Sequence, residues 1–217
     1  MSGKPILMTS PGSHHCRRVR LLIEEAGLDV ALETVEVRPP GMGGENEGEA
    51  FLAINPAGKV PVLREGDFVL AESNAIMAYL SEKNGFNKLW PEDLRERAEI
   101  AKWQFFQAAQ LSPAVDGLMV ENVVKSMMGQ TPDKAVVAGL TEAFHRCARV
   151  IEAGLGEADY LVVDRLTCAD LSVATAFMYA QAAQVPLEAH KKLSAWLGRI
   201  QARPSWAATE PPPMPIN

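Results

Sequence analysis

The pattern of apolar and polar positions changes character near residue 85. Before it, short apolar runs alternate with helical repeats. Residues 5–9, PILMT, read as a buried strand. HHCRRVRLLIEEAG sets Val19, Leu22, Ile23 and Ala26 at helical spacing and stops at Gly27. Val30 to Val37 half-alternate as a strand, RPPGMGGENEG reads as a flexible loop, and EAFLAI is a short helical turn ending at Asn55-Pro56. VPVLREGDFVL predicts a hairpin, with strands over Val60 to Leu63 and Phe68 to Leu70 around a Glu65-Gly66 turn. ESNAIMAYLSEKNG predicts a helix with Ser73 near its start and Gly85 after its end. The expected order is β-α-β-α-β-β-α.

Beyond Gly85 the strand signals largely stop. Helical patterns are expected over 93 to 127, 133 to 154, 168 to 184 and 188 to 202. This predicts an α/β domain over 1–84, a linker over 85–92 carrying Pro91, and an all-helical domain over 93–217. The closing PPPMPIN cannot continue a helix and reads as an extended, poorly ordered tail.

Composition narrows the function classes. The 217 residues are 47% hydrophobic and 22% charged, as in an ordinary globular protein, with a net charge of -6. That charge argues against nucleic-acid partners, and CRRVR is a short basic stretch inside the first helix pattern. No run of 18 apolar residues predicts a membrane span, and the first residues lack a signal-peptide h-region. Cys16, Cys147 and Cys168 are too widely spaced for a disulfide framework or a zinc site. The chain therefore reads as reduced and cytoplasmic, without a bound metal.

Two stretches carry candidate chemistry. In SPGSHHCRRV, Ser13 stands where a strand turns into a helix. It has two readings: a plain N-cap, or a hydroxyl that donates to a thiolate and lowers its pKa, beside the positive end of a helix. S-x-x-C also has the spacing of a thioredoxin-type C-x-x-C motif. Cys16, one helical turn on, reads as a small buried residue. His14 and His15 are adjacent and cannot share a helix face, so they make a weak metal pair. His14 is a candidate wall or polar contact. In NPAGKVPVL, Pro61 opens a strand, and its X-Pro bond is open to the cis form. That form would leave the Val60 N–H and C=O to pair with an extended peptide. Glu72-Ser73 precedes an apolar helix. Its two readings are capping, or a grip on an amino acid's ammonium by Glu72 and on its carboxylate at the helix N-terminus by Ser73. Taken together, these features fit one site for a γ-linked peptide thiol.

These residues resemble the cytosolic glutathione transferases over about 5 to 206. SPGSHHCRRVRLLIEEAGL is similar to the first βα unit of their serine-type classes, theta, delta and several bacterial groups. NPAGKVPVL, ESNAIMAYL and LTCADLSVA are similar to the family's N-P-x-G-x-V/I-P, E-S-x-A-I-x-x-Y-L and S/T-x-x-D motifs. The resemblance implies a thioredoxin-like first domain and an all-α second domain. It implies that Ser13 contacts the sulfur of glutathione, that Val60 beside cis-Pro61 pairs with its cysteinyl backbone, and that Glu72 and Ser73 hold the γ-glutamyl end. Lys59 matches a position that is often a polar contact to the tripeptide. Thr167 and Asp170 match a structural capping box. The implied function is activation of glutathione, a co-substrate rather than a cofactor, for attack on a small hydrophobic electrophile in a detoxifying homodimer. The alternatives are a glutathione-dependent disulfide or peroxide reductase and a non-enzymatic glutathione-binding module. Pro11, His14 and Phe106 are candidate walls for the second substrate. One departure stands out: the loop over 38–51 has no lysine or histidine where several classes hold the glycyl carboxylate, which leaves Arg38 or Lys59 for that task.

Overall fold

The computed structural model describes residues 3–38, 43–85 and 88–211. They form two compact units, one running to Trp90 and regaining the chain at Pro204, the other spanning Pro91–Arg203. The first unit follows the expected order: β1 (Ile6–Thr9), α1 (His14–Ala26), β2 (Ala31–Thr34), α2 (Glu49–Ile54), β3 (Val62–Glu65), β4 (Phe68–Ala71) and α3 (Ser73–Lys83). Its four strands lie in the order β2-β1-β3-β4. β1 runs parallel to β2 and antiparallel to β3, which is antiparallel to β4. This mixed sheet, flanked by helices, is a thioredoxin-like domain.

Local chemistry explains where the elements stop. Gly27 takes φ 61°, the left-handed conformation that lets its N–H close α1 on Ile23 O. β3 begins at Val62 because Pro61 has no N–H for the ladder. It runs to Glu65, so the hairpin turn is Gly66-Asp67, one residue later than the sequence suggests. The Glu65 carboxylate is buried and accepts from Tyr79 Oη at 2.8 Å and from Lys83, which fixes Glu65 in the strand.

The core beneath the sheet's site-bearing end gathers Met8, Cys16, Val35, Phe51, Val60 and Val62. One apolar cluster therefore ties the start of α1 to the strand entry at Val60. On α1, Arg17 and Arg18 are as buried as the apolar positions. Arg17 donates to Trp206 O at 2.8 Å and lies 3.9 Å from the Trp206 ring centroid. Trp206 belongs to a short helix, Pro204–Ala208, that packs on α1 within the first unit. The sequence reading placed everything from residue 93 in the helical domain. The segment from Pro204 departs from that because its contacts are with α1. Most of the tail lies outside the described residues, as do Pro39 to Met42 of the 38–51 loop.

The second unit is all helical. A continuous helical rod runs from Leu94 to Met127, comprising α4 (Leu94–Phe106), α5 (Ser112–Met119) and α6 (Lys125–Met127) with π-helical turns over Gln107–Leu111 and Val120–Val124. The first π turn ends two residues before Pro113, which cannot donate an i→i−4 bond. α7 (Lys134–Leu155), α8 (Cys168–Thr175) and α9 (Lys191–Gln201) complete the unit. The pattern over 168 to 184 predicted a longer helix. α8 ends at Thr175, whose hydroxyl donates to Leu171 O at 2.9 Å, and the next amides reach only three residues back.

Candidate functional site

The loop between α2 and β3 is braced by two buried asparagines. Asn55 donates to Lys59 O at 2.7 Å and accepts from the Ala57 N–H at 3.2 Å, and Asn46 donates to Gly58 O at 3.1 Å. The brace delivers Lys59 and Val60 to the sheet end, where the Val60-Pro61 peptide bond is cis. Glu72 then turns the chain from β4 into α3 with φ 70° and ψ 107°, an uncommon conformation for a side-chain-bearing residue. Glu72, not Ser73, is the N-cap of α3. Ser73 is the first helical residue and is buried, with its N–H in the set that has no acceptor within the helix.

These segments enclose a cavity of about 140 Å³ lined by His15, Asn55, Ala57, Lys59, Val60, Pro61, Ala71, Glu72 and Ser73. It holds one cationic and one anionic side chain and the N-terminus of α3, groups that suit a zwitterionic peptide. Lys59, Val60, Pro61, Glu72 and Ser73, singled out from the sequence, are all in its wall. Arg38 is not: its exposed guanidinium pairs with Glu36 at 2.7 Å.

Ser13 is the N-cap of α1, and its hydroxyl oxygen accepts from the Cys16 N–H at 3.3 Å. Capping uses the oxygen and leaves the hydroxyl hydrogen to donate elsewhere, so the two readings of Ser13 are compatible. Cys16 is fully buried, takes the Ser10 N–H on its sulfur at 3.3 Å, and has its thiol pKa pushed up by burial. A thiol of that kind is a core residue, not a nucleophile. His14 Nδ1 accepts from the Arg18 guanidinium at 3.4 Å, and the His14 ring lies against His15 with centroids 3.9 Å apart. Phe106 is buried edge-on against Trp103 in the helical core, whereas Phe105 is 75% exposed. Pro11 is half-buried in the turn before α1.

Two residues of the cavity wall were not singled out from the sequence. Asn55 was read only as a helix stop. His15 was judged only as half of a metal pair. Burial, with the charges of His14, Arg18 and Lys59 behind it, lowers the His15 pKa to about 2. His15 is therefore neutral at physiological pH, and folding excludes a proton that the unfolded chain accepts near the usual histidine value. The sign follows: this contribution to stability is complete above about pH 6.5 and is lost as pH falls, by up to about 1.4 kcal/mol per pH unit. Urea denaturation at pH 7 and pH 5.5 is expected to show His15→Gln losing about 1 kcal/mol less than the parent over that interval. Equal losses would contradict the buried, neutral state of His15.

Comparison with known proteins agrees with this geometry. Residues 7–88 match the family model described as glutathione S-transferase, N-terminal domain, and residues 115–204 match glutathione S-transferase, C-terminal domain. A glutathione S-transferase of Hyoscyamus muticus is 32% identical over 194 residues, 88% of this chain and 90% of its own. Glutathione S-transferase 4 of Zea mays is 35% identical, covering 87% and 83% of the two chains. Among solved structures, a glutathione S-transferase-I bound with lactoylglutathione superposes with a TM-score of 0.82 at 29% identity, over 96% of this chain and 99% of that one. A glutathione S-transferase from Rhodospirillum rubrum gives 0.82 at 27% identity, over 98% and 95%. The serine-capped turn, the Val60-Pro61 strand entry and the Glu72-Ser73 helix start thus sit in a chain that matches these proteins over most of its length: the protein belongs to the glutathione S-transferase family and is a glutathione transferase.

Proposed function

We propose that the protein binds glutathione in the Lys59–Ser73 cavity and uses Ser13 to hold its sulfur as a thiolate for attack on a small hydrophobic electrophile. The observation that carries this reading is the convergence of Val60, Glu72 and the N-terminus of α3 on one cavity in the domain whose first helix is capped by Ser13. Each part of the tripeptide has a partner of matching chemistry. The γ-glutamyl ammonium meets Glu72, its carboxylate meets Ser73 and the first N–H groups of α3, and the cysteinyl backbone pairs with Val60. Lys59 takes the glycyl carboxylate, because it lines the cavity and Arg38 does not. In the reaction the thiolate forms a carbon–sulfur bond and the displaced group leaves with the bonding electron pair. The Ser13 hydroxyl lowers the thiol pKa, so more thiolate is present near neutral pH. Membership of the family supports the further proposal that the protein is a cytoplasmic homodimer.

Glutathione binding tests the cavity assignment. Glu72→Gln and Ser73→Ala are each expected to weaken binding by about ten- to a hundredfold, the effect of losing a hydrogen bond to a charged group. Calorimetry giving parental affinity in both variants would remove the tripeptide from this cavity. Conjugation of an aryl halide, run beside glutathione-dependent disulfide reduction, then separates the transferase reading from the reductase one.

A further inference from the structure

We propose that His15 is a further binding residue of this site, a neutral imidazole that hydrogen-bonds an uncharged peptide group in the cysteinyl–glycyl half of glutathione. The inference rests on the placement of glutathione in the cavity and extends it to a residue two positions beyond Ser13.

Three observations point there. His15 lies in the cavity wall with Lys59, Val60 and Glu72, while its chain neighbour His14 does not. Among the described residues the His15 ring lies tilted against the His14 ring and makes no hydrogen bond, so both of its nitrogens are available to a ligand. Its surroundings fix its charge state. Burial first, and then the cations Arg18 and Lys59 near it, keep it unprotonated.

A neutral imidazole offers one N–H donor and one lone pair, whichever tautomer it takes. That pair matches a peptide group, which presents one C=O and one N–H. It does not match a carboxylate, which would favour a cation, and the cavity already has a cation for that purpose in Lys59. The ammonium therefore meets the glycyl carboxylate, and the imidazole meets the amide next to it. Ser13 and His15 share the first turn of α1, so one turn of helix addresses both the sulfur and the backbone that carries it.

Binding of S-methylglutathione isolates this contact, because the probe has no ionisable thiol. Calorimetry from pH 5.5 to 7.5 is expected to give a parental Kd that stays within about twofold. His15→Ala and His15→Phe, the latter retaining a ring without its nitrogens, should each bind about three- to tenfold more weakly. His15→Gln, neutral and able to donate and accept, should recover most of the loss. The turnover rate at saturating glutathione should stay within about twofold in His15→Gln and His15→Phe, with the change carried by KM. Parental affinity in His15→Ala and His15→Phe, beside weakened binding in Ser73→Ala, would overturn the His15 contact and leave the cavity assignment standing. Parental affinity in all of them, Ser73→Ala and Glu72→Gln included, would overturn both. A parental Kd that tightens about tenfold per pH unit below 6.5 would mean that a charged His15 binds, contrary to the proposal.

Discussion

Asp170→Ala is expected to destabilise the protein by about 3–5 kcal/mol. The carboxylate is fully buried and collects four donors. Its Oδ1 accepts from the Leu161 N–H and from Trp196 Nε1, both at 3.0 Å, and its Oδ2 accepts from the Thr167 N–H at 2.8 Å and the Thr167 hydroxyl at 3.0 Å. Thr167 and Trp196 are themselves fully buried. Removing the acceptor strands these donors away from water, at roughly 1–3 kcal/mol for each that stays unpaired, and also removes the capping box of α8. Burial pushes the Asp170 pKa up and the donors oppose that shift, so the group is held by its hydrogen bonds and not by an ion pair. Asp170→Asn is expected to fall between parent and Ala, because its amide group keeps one acceptor oxygen and turns a competing donor toward the others. Urea midpoints measured by Trp fluorescence check the ranking. A loss under about 1 kcal/mol in Asp170→Ala would show that water or relaxation satisfies the stranded groups.

What was legible in the sequence was mostly local. Gly27 marks the end of α1 because only the residue after the helix must take a left-handed φ, and glycine does so without strain. Ser13, Pro61 and the Glu72-Ser73 pair announce themselves by their places at element ends. The existence of the hairpin and of a helical half follows from the residue pattern, though the hairpin turn falls one residue later and α8 stops at Thr175, short of the 168 to 184 pattern. What stayed hidden depends on partners distant in the chain. Arg17 reads as a solvated base, yet Trp206, 189 positions away, buries it. Asn55 reads as a helix stop, and its grip on Lys59 O emerges only when the loop closes. His15 was set aside because adjacent residues point to different helix faces. That argument does not hold in the structure, where the two rings lie against each other with centroids 3.9 Å apart, and it says nothing of the cavity that the second histidine lines. Which residue of the Glu72-Ser73 pair caps α3 was not legible, because Glu72 reaches that position through a backbone conformation that no residue pattern reveals.

The unusual conformation of Glu72 also bears on the site. Non-glycine residues held at positive φ are strained by about 1–3 kcal/mol and cluster at functional positions. Here the strain places a carboxylate and the start of α3 beside one cavity.

The second large effect concerns Ser13. Ser13→Ala removes a helix cap worth about 1 kcal/mol and the hydroxyl assigned to the thiolate. Loss of a hydrogen bond to a charged sulfur, about 1.4–3 kcal/mol, raises the bound thiol's pKa by one to two units. The sign is fixed: a higher pKa means less thiolate at neutral pH. Conjugation near pH 7 should fall about ten- to a hundredfold and recover in part as pH rises. Glutathione affinity should change little, because the proposed tripeptide contacts of Glu72, Ser73 and Val60 are left in place. Cys16→Ala, which empties part of the core beneath Val60, should lower stability more than rate.

The most direct test is the ultraviolet thiolate absorbance of bound glutathione, titrated against pH in the parent, Ser13→Ala, His14→Ala and Cys16→Ala. The account predicts that Ser13→Ala alone shifts the midpoint upward by one to two units, with His14→Ala and Cys16→Ala titrating like the parent. A Ser13→Ala curve that overlays the parent, with the shift appearing in His14→Ala, would contradict it and place the sulfur's partner on the histidine.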